Sequence, residues 1–158
     1  MKKKVSYKKL IISLGLPLVM GALSGFFTSQ TIPLWYEKLR QPSFSPPNWV
    51  FAPVWTVLYL LMGVSLYMIW RLRVSRERNM ALVAFVVQLL LNFGWSFLFF
   101  SFEMIGLAFV EIIAIWSSII LMLIIFYRIK PVAYYLNIPY LFWVTFAAVL
   151  NASYFALN

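Results

Sequence analysis

The chain has 158 residues, of which 64% are hydrophobic and 11% charged, with a net charge of +9 and neither cysteine nor histidine. So little polar surface cannot cover a soluble domain of this size, which puts the chain in a bilayer. Without His or Cys it lacks the usual haem ligands, zinc sites and Ser-His or Cys-His catalytic pairs, and Walker and dinucleotide glycine patterns are absent too.

A membrane-crossing helix needs roughly 20 mostly apolar residues. Five stretches qualify, near 9–28, 50–70, 80–101, 105–127 and 132–155. They are far longer than the roughly ten-residue alternating strands of a membrane barrel, so the expected fold is all-α. One five-helix domain over 1–158 follows, without the paired repeats of many secondary transporters.

The first span follows Met1-Lys2-Lys3-Lys4, which resembles the charged start of a signal peptide, but its apolar part is too long and it is expected to be retained. Gly21 and Gly25 form a small-xxx-small spacing that suits a homodimer contact or an internal helix contact, and that also arises often by chance. Residues 29–48 make an unusually long loop, and such loops tend to be lids. Its centre, Trp35-Tyr36-Glu37-Lys38-Leu39-Arg40, allows one or two helical turns with Trp35 and Leu39 on one face.

The second span opens on an aromatic and proline cluster from Pro42 to Tyr59. Prolines fix the backbone where a helix begins and missing N–H donors cost least, while Trp49, Trp55 and Tyr59 offer flat faces with single polar tips. That composition suits a flat, greasy ligand or an aromatic belt at the headgroups. Trp55, Tyr59, Gly63 and Tyr67 share one face, with Gly63 permitting close approach by a helix or ligand.

In the third span Gln88, Asn92, Trp95 and Phe99 recur at helical spacing. Amides are costly against lipid, so they are expected to face protein or a cavity, as interhelical glue or as ligand contacts. Glu111 is the acid inside the fourth span, expected to make a structural hydrogen bond near the outer interface. The fifth span sets Tyr140, Trp143, Ala147, Leu150, Asn151 and Tyr154 along one side, with small Ala147 leaving room. Three helices thus offer aromatic stripes, for packing or for a pocket.

Five crossings would gather Lys2, Lys3, Lys4, Lys8, Lys9, Arg71, Arg73, Arg76, Arg78, Arg128 and Lys130 on one side and leave Lys38 and Arg40 on the other. The positive-inside rule then predicts a multi-pass cell-membrane protein with a cytoplasmic amino terminus and with the long loop and carboxyl terminus outside. Basic residues placed at span ends report orientation, so nucleic acid is not an expected partner.

Trp35-Tyr36, Leu39, Pro42-Ser43, Pro46-Pro47, Trp49, Pro53-Val54-Trp55, Leu58-Tyr59 and Gly63 together resemble the signature of the translocator protein family, also called tryptophan-rich sensory protein or TspO. Gln88, Leu91-Asn92, Trp95, Phe99-Phe100, Gly106, Glu111, Pro139-Tyr140, Trp143 and Leu150-Asn151 extend the likeness, which runs from about Gly21 to Asn151. The resemblance implies a five-helix membrane protein that binds porphyrins or similar planar hydrophobic molecules, often as a homodimer, with no cofactor required. It implies that Trp35, Tyr36, Pro46, Trp49, Trp55, Tyr59, Asn92, Trp95, Trp143, Ala147 and Leu150 line or cap the pocket. It also implies two alternatives to a receptor or sensor. One is light- and oxygen-dependent porphyrin breakdown, with Trp49, Trp55 and Trp143 as catalytic electron donors; the other is tetrapyrrole or lipid transport. The animal cholesterol motif is not matched, because Leu150 and Tyr154 lead into Phe155-Ala156-Leu157-Asn158 without a basic residue.

Overall fold

A computed structural model describes residues 5–33 and 35–158; Lys2, Lys3 and Lys4 lie outside the described residues. The five helices are α1 (Tyr7–Thr31), α2 (Phe51–Trp70), α3 (Arg76–Ser96), α4 (Ile105–Ile129) and α5 (Pro131–Leu157). All five are long and apolar enough to cross a membrane, and no strand occurs among the described residues. The helix starts follow local chemistry. Ser75 accepts from the Arg78 backbone N–H at 3.1 Å, which satisfies one of the donors a helix start leaves free, so α3 begins one turn before its apolar run. Pro131 occupies the first turn of α5, where its missing N–H costs nothing, so Lys130 alone separates α4 from α5.

The spans read from hydropathy stop two or three residues short of the carboxyl ends of α1, α4 and α5; polar Ser29-Gln30-Thr31 and Arg128 continue α1 and α4 past their apolar runs, and Ala156-Leu157 continue α5. The long loop shrinks accordingly to 32–47, since α1 reaches Thr31 and a 3₁₀ turn at Asn48–Val50 leads into α2. At the same end of the bundle, α3 runs into a π-helical turn over Phe97–Ser101, and Glu103 just beyond has φ 57°, a left-handed conformation uncommon for a residue with a side chain.

The helices pack as a ring in the order α1, α2, α5, α4, α3, with α3 returning to α1. Glycine sets the closest approaches. A Cβ on Gly63 would lie 2.8 Å from the backbone of Leu14, so α1 and α2 meet main chain to main chain there. One on Gly21 would strike the Tyr59 ring, making Gly21 an internal contact, whereas Gly25 has open space above it. The main core joins Met62, Ile69, Phe85, Ile119, Met122, Phe126 and Tyr140, and a second cluster under the long loop joins Tyr36, Phe99, Ala108, Leu150 and Tyr154.

Candidate functional site

The long loop is tied down by tyrosine. Its 3₁₀ turn, Tyr36–Lys38, buries Tyr36 to 5% exposure, and Trp35 and Leu39 pack beside it against the same cluster. Tyr36, not the Trp35–Leu39 face, is therefore the deepest anchor. The Tyr154 hydroxyl donates to Tyr36 Oη at 2.7 Å and lies 3.2 Å from Ser45 Oγ, so the end of α5 holds the loop at two points. Asn158 adds a third by accepting from the Arg40 N–H at 2.9 Å and donating to the Arg40 carbonyl at 3.3 Å. Burial, followed by the contact with Tyr154, raises the pKa of the Tyr36 hydroxyl above its ordinary value, so the phenol stays neutral under the loop.

The π turn delivers the other half of this contact. An extra residue in the turn re-aims the side chains that follow it. Phe99 thereby meets Trp35 with ring centroids 5.7 Å apart, and Phe100 meets Tyr36 at 5.5 Å. Trp95, one turn before Phe99, stacks on it at 5.1 Å and donates its indole N–H to Asn151 Oδ1 at 3.0 Å. Asn151 in turn donates to the Ile105 carbonyl at 3.1 Å, so a single amide joins α3, α4 and α5.

Below this layer lies a second polar relay. The Tyr59 hydroxyl donates to Asn92 Oδ1 at 2.9 Å, and Asn92 Nδ2 donates to Tyr140 Oη at 3.2 Å, linking α2, α3 and α5 among apolar neighbours. Trp55 covers the relay, stacked on Tyr59 at 5.3 Å and edge-on to Tyr140 at 6.1 Å. Beside it Trp143 touches Phe51 at 5.9 Å, but its indole nitrogen is buried with no partner. Trp143 also borders an open apolar groove of about 600 Å³ between α2 and α5, together with Pro53, Val57, Pro139, Phe142 and Phe146.

The sequence-predicted residues therefore fall into three groups. Trp35, Tyr36 and Leu150 belong to the cluster under the loop, Tyr59 belongs to the main core with Trp55, Trp143 and Ala147 packed against it, and Trp95 touches both. Asn92 joins the core through hydrogen bonds. Pro46 is half-buried on the loop, and Trp49 is 74% exposed, its ring turned away from the rest. Several of these rings pack on other rings of the bundle: Trp35 and Trp95 on Phe99, Trp55 on Tyr59 and Tyr140, and Trp143 on Phe51 and Phe146.

Glu111 departs from expectation. Its Oε2 is buried without a donor, and its carboxylate lies against Gly94, where a Cβ would come within 2.8 Å of Oε1. Gln88 is fully buried, yet both atoms of its amide lack partners. Sequence reading missed Phe142 and Phe146, although their spacing from Pro139 and Trp143 puts all four on one helix face. The Ser45 contact is a meeting of distant segments for which no local pattern exists.

Comparison with known proteins agrees with this architecture. The TspO/MBR family matches residues 13–157. The "Tryptophan-rich protein TspO" of Archaeoglobus fulgidus is 39% identical over 150 residues, covering 95% of this chain and 97% of its own. Its namesake from Chlorobaculum tepidum is 37% identical over 153 residues, covering 94% and 95%. The "Translocator protein" of Sus scrofa is 37% identical over 139 residues, covering 84% and 82%. Matched along nearly its whole length, and built on five helices of spanning length, the chain belongs to the TspO/MBR family.

Proposed function

We propose that this protein is a membrane receptor or sensor for porphyrins of the protoporphyrin type. The ligand is held on the aromatic faces of α2, α3 and α5 beneath the long loop. The observation that carries the reading is Trp143: a buried indole N–H with no partner, at the edge of an apolar groove of about 600 Å³. A buried donor left unpaired costs about 1–3 kcal/mol, so a greasy ligand bringing one acceptor regains that stabilisation while covering the groove. Trp55 and Tyr59 supply a stacking face, and the Tyr59–Asn92–Tyr140 relay fixes it.

Protoporphyrin should quench tryptophan fluorescence on binding. Trp143→Phe should weaken affinity about fivefold, the loss of one neutral hydrogen bond. Unchanged affinity in Trp143→Phe together with Trp55→Phe would remove this site.

A second reading, light-driven porphyrin breakdown, gains support from the stacked pair Trp55–Tyr59, an oxidisable indole on an oxidisable phenol. It requires a product absorbance under illumination in oxygen that exceeds the protein-free control and falls in Trp55→Phe with binding retained.

The ends of the bundle also sort by charge. Lys9 donates to the Trp70 carbonyl at 3.2 Å, so the start of α1 meets the end of α2 among the basic residues, while the long loop meets the end of α5. The positive-inside rule makes the basic end cytoplasmic. The chain has no cysteine, so single cysteines introduced at Val74 or Phe44 give unambiguous labelling with an impermeant thiol reagent. Labelling at Phe44 from outside intact cells, and not at Val74, is the expected result.

A further inference from the structure

We infer that the seam between α4 and α5 at the basic end of the bundle is a binding site for one anionic phospholipid. Its acyl chain lies in the helix–helix groove and its phosphate sits on Arg128. The groove holds about 340 Å³, with a wall of Leu123, Ile124, Ile138 and Leu141 and a rim of Tyr127, Arg128 and Tyr134. The two tyrosines pack edge to face at 5.2 Å and make a firm shoulder at its mouth. An apolar trough with one cation and phenol hydroxyls at a single end matches a lipid, apolar along its length and anionic at its head.

Charge at this end selects the head group. Among the described residues Lys8, Lys9, Arg71, Arg73, Arg76, Arg78, Arg128 and Lys130 lie at the basic end, against one acid, Glu77. At the opposite end Lys38 and Arg40 are balanced by Glu37 and Glu103. Arg128 lies in the last turn of α4, exposed, and its side chain has no hydrogen bond or ion pair among the described residues. Its planar fork can therefore grip a phosphate with two parallel N–H donors. Lys130, two residues on in the one-residue connection, adds to the positive charge of this end without lining the groove.

The site is separate from the aromatic site, which uses α2, α3 and different residues of α5, Tyr140 and Trp143 rather than Ile138 and Leu141. Its assignment to the cytoplasmic leaflet rests on the proposed orientation; its existence does not. The experiment accordingly presents lipid without sidedness.

The purified full chain in detergent is titrated with phosphatidylglycerol or phosphatidylcholine, and bound lipid is counted by native mass spectrometry. Saturable retention of one phosphatidylglycerol per chain is expected, with phosphatidylcholine weaker. Arg128→Gln should weaken phosphatidylglycerol about tenfold, the loss of a charge-assisted contact, and Arg128→Lys should fall between. Ile138→Trp, which fills the groove and leaves every charge in place, should weaken both lipids. Arg73→Gln, outside the groove, should change little. The site is overturned if the two lipids bind alike, if Arg73→Gln loses as much as Arg128→Gln, or if Ile138→Trp retains wild-type binding. The last two results would mean attraction by surface charge alone.

Discussion

The two halves of the bundle treat buried polar atoms in opposite ways. In the half beneath the long loop they are paired across helices: Tyr59 to Asn92 to Tyr140, Trp95 to Asn151, and Tyr154 to Tyr36. Toward the basic end the Tyr67 hydroxyl, Arg78 Nε, the Gln88 amide, Asn137 Oδ1 and the Ser13 hydroxyl are all buried without partners. Outer exceptions are Ser24, Glu111 and Trp143. A paired network specifies one arrangement of helices, whereas an unpaired amide leaves neighbouring helices unspecified relative to it. Geometry is therefore held most firmly around the aromatic site, and the lone donor of Trp143 stands out there because most of its surroundings are satisfied.

The sharpest way to break this contrast is Asn92→Leu. It removes two hydrogen bonds and strands the hydroxyls of Tyr59 and Tyr140, so a loss of about 2 kcal/mol is expected in thermal or denaturant unfolding in detergent. Next is Tyr154→Phe, which deletes the donor to Tyr36 and the contact with Ser45. A loss of about 1 kcal/mol should appear locally, as faster hydrogen exchange over 35–45 with the rest of the bundle unchanged.

The same region carries a pH dependence whose sign follows from burial. Tyr36 is held above its ordinary 10.0, so the released loop gives up that proton before the docked loop does. Docking is complete below about pH 10 and weakens as pH climbs past it. Hydrogen exchange of the loop should accelerate over that range, and Tyr36→Phe should flatten the response. Asn158→Ala, which cuts an exposed pair of bonds to the Arg40 backbone, should cost about 0.5 kcal/mol and speed exchange near Arg40 alone.

What was legible in advance was whatever repeats along one helix. Five apolar runs gave five helices, and the spacing of Asn92 and Trp95 put both on the inner face. Gly63 marked a close approach, which proved to be to α1. Where the chain leaves regular periodicity the reading stopped. The π turn at Phe97–Ser101 shifts the face that Phe99 and Phe100 present, and an all-apolar run gives no sign of where a helix widens. Trp49 was grouped with Trp55 because they are close in sequence, but the 3₁₀ turn at Asn48–Val50 points it outward. Glu111 was expected to find a donor, and whether one comes within reach depends on how α3 and α4 meet, which no single helix encodes.

The smallest effect tests the contrast from its other side. Gln88 lies one turn from Asn92 on the same face of α3 and is buried even more completely, so neither composition nor depth explains why Asn92 should be the better held of the two amides. They differ in partners: Asn92 has two and Gln88 none. Replacing an unpaired buried amide with an apolar side chain of similar shape removes a desolvation penalty and breaks no bond. Gln88→Leu should therefore unfold within about 0.5 kcal/mol of the parent chain, or slightly above it, where Asn92→Leu falls well below. A loss at Gln88 equal to that at Asn92 would mean that the basic half is knit by bonds as strong as the outer half, and the contrast between them would fail.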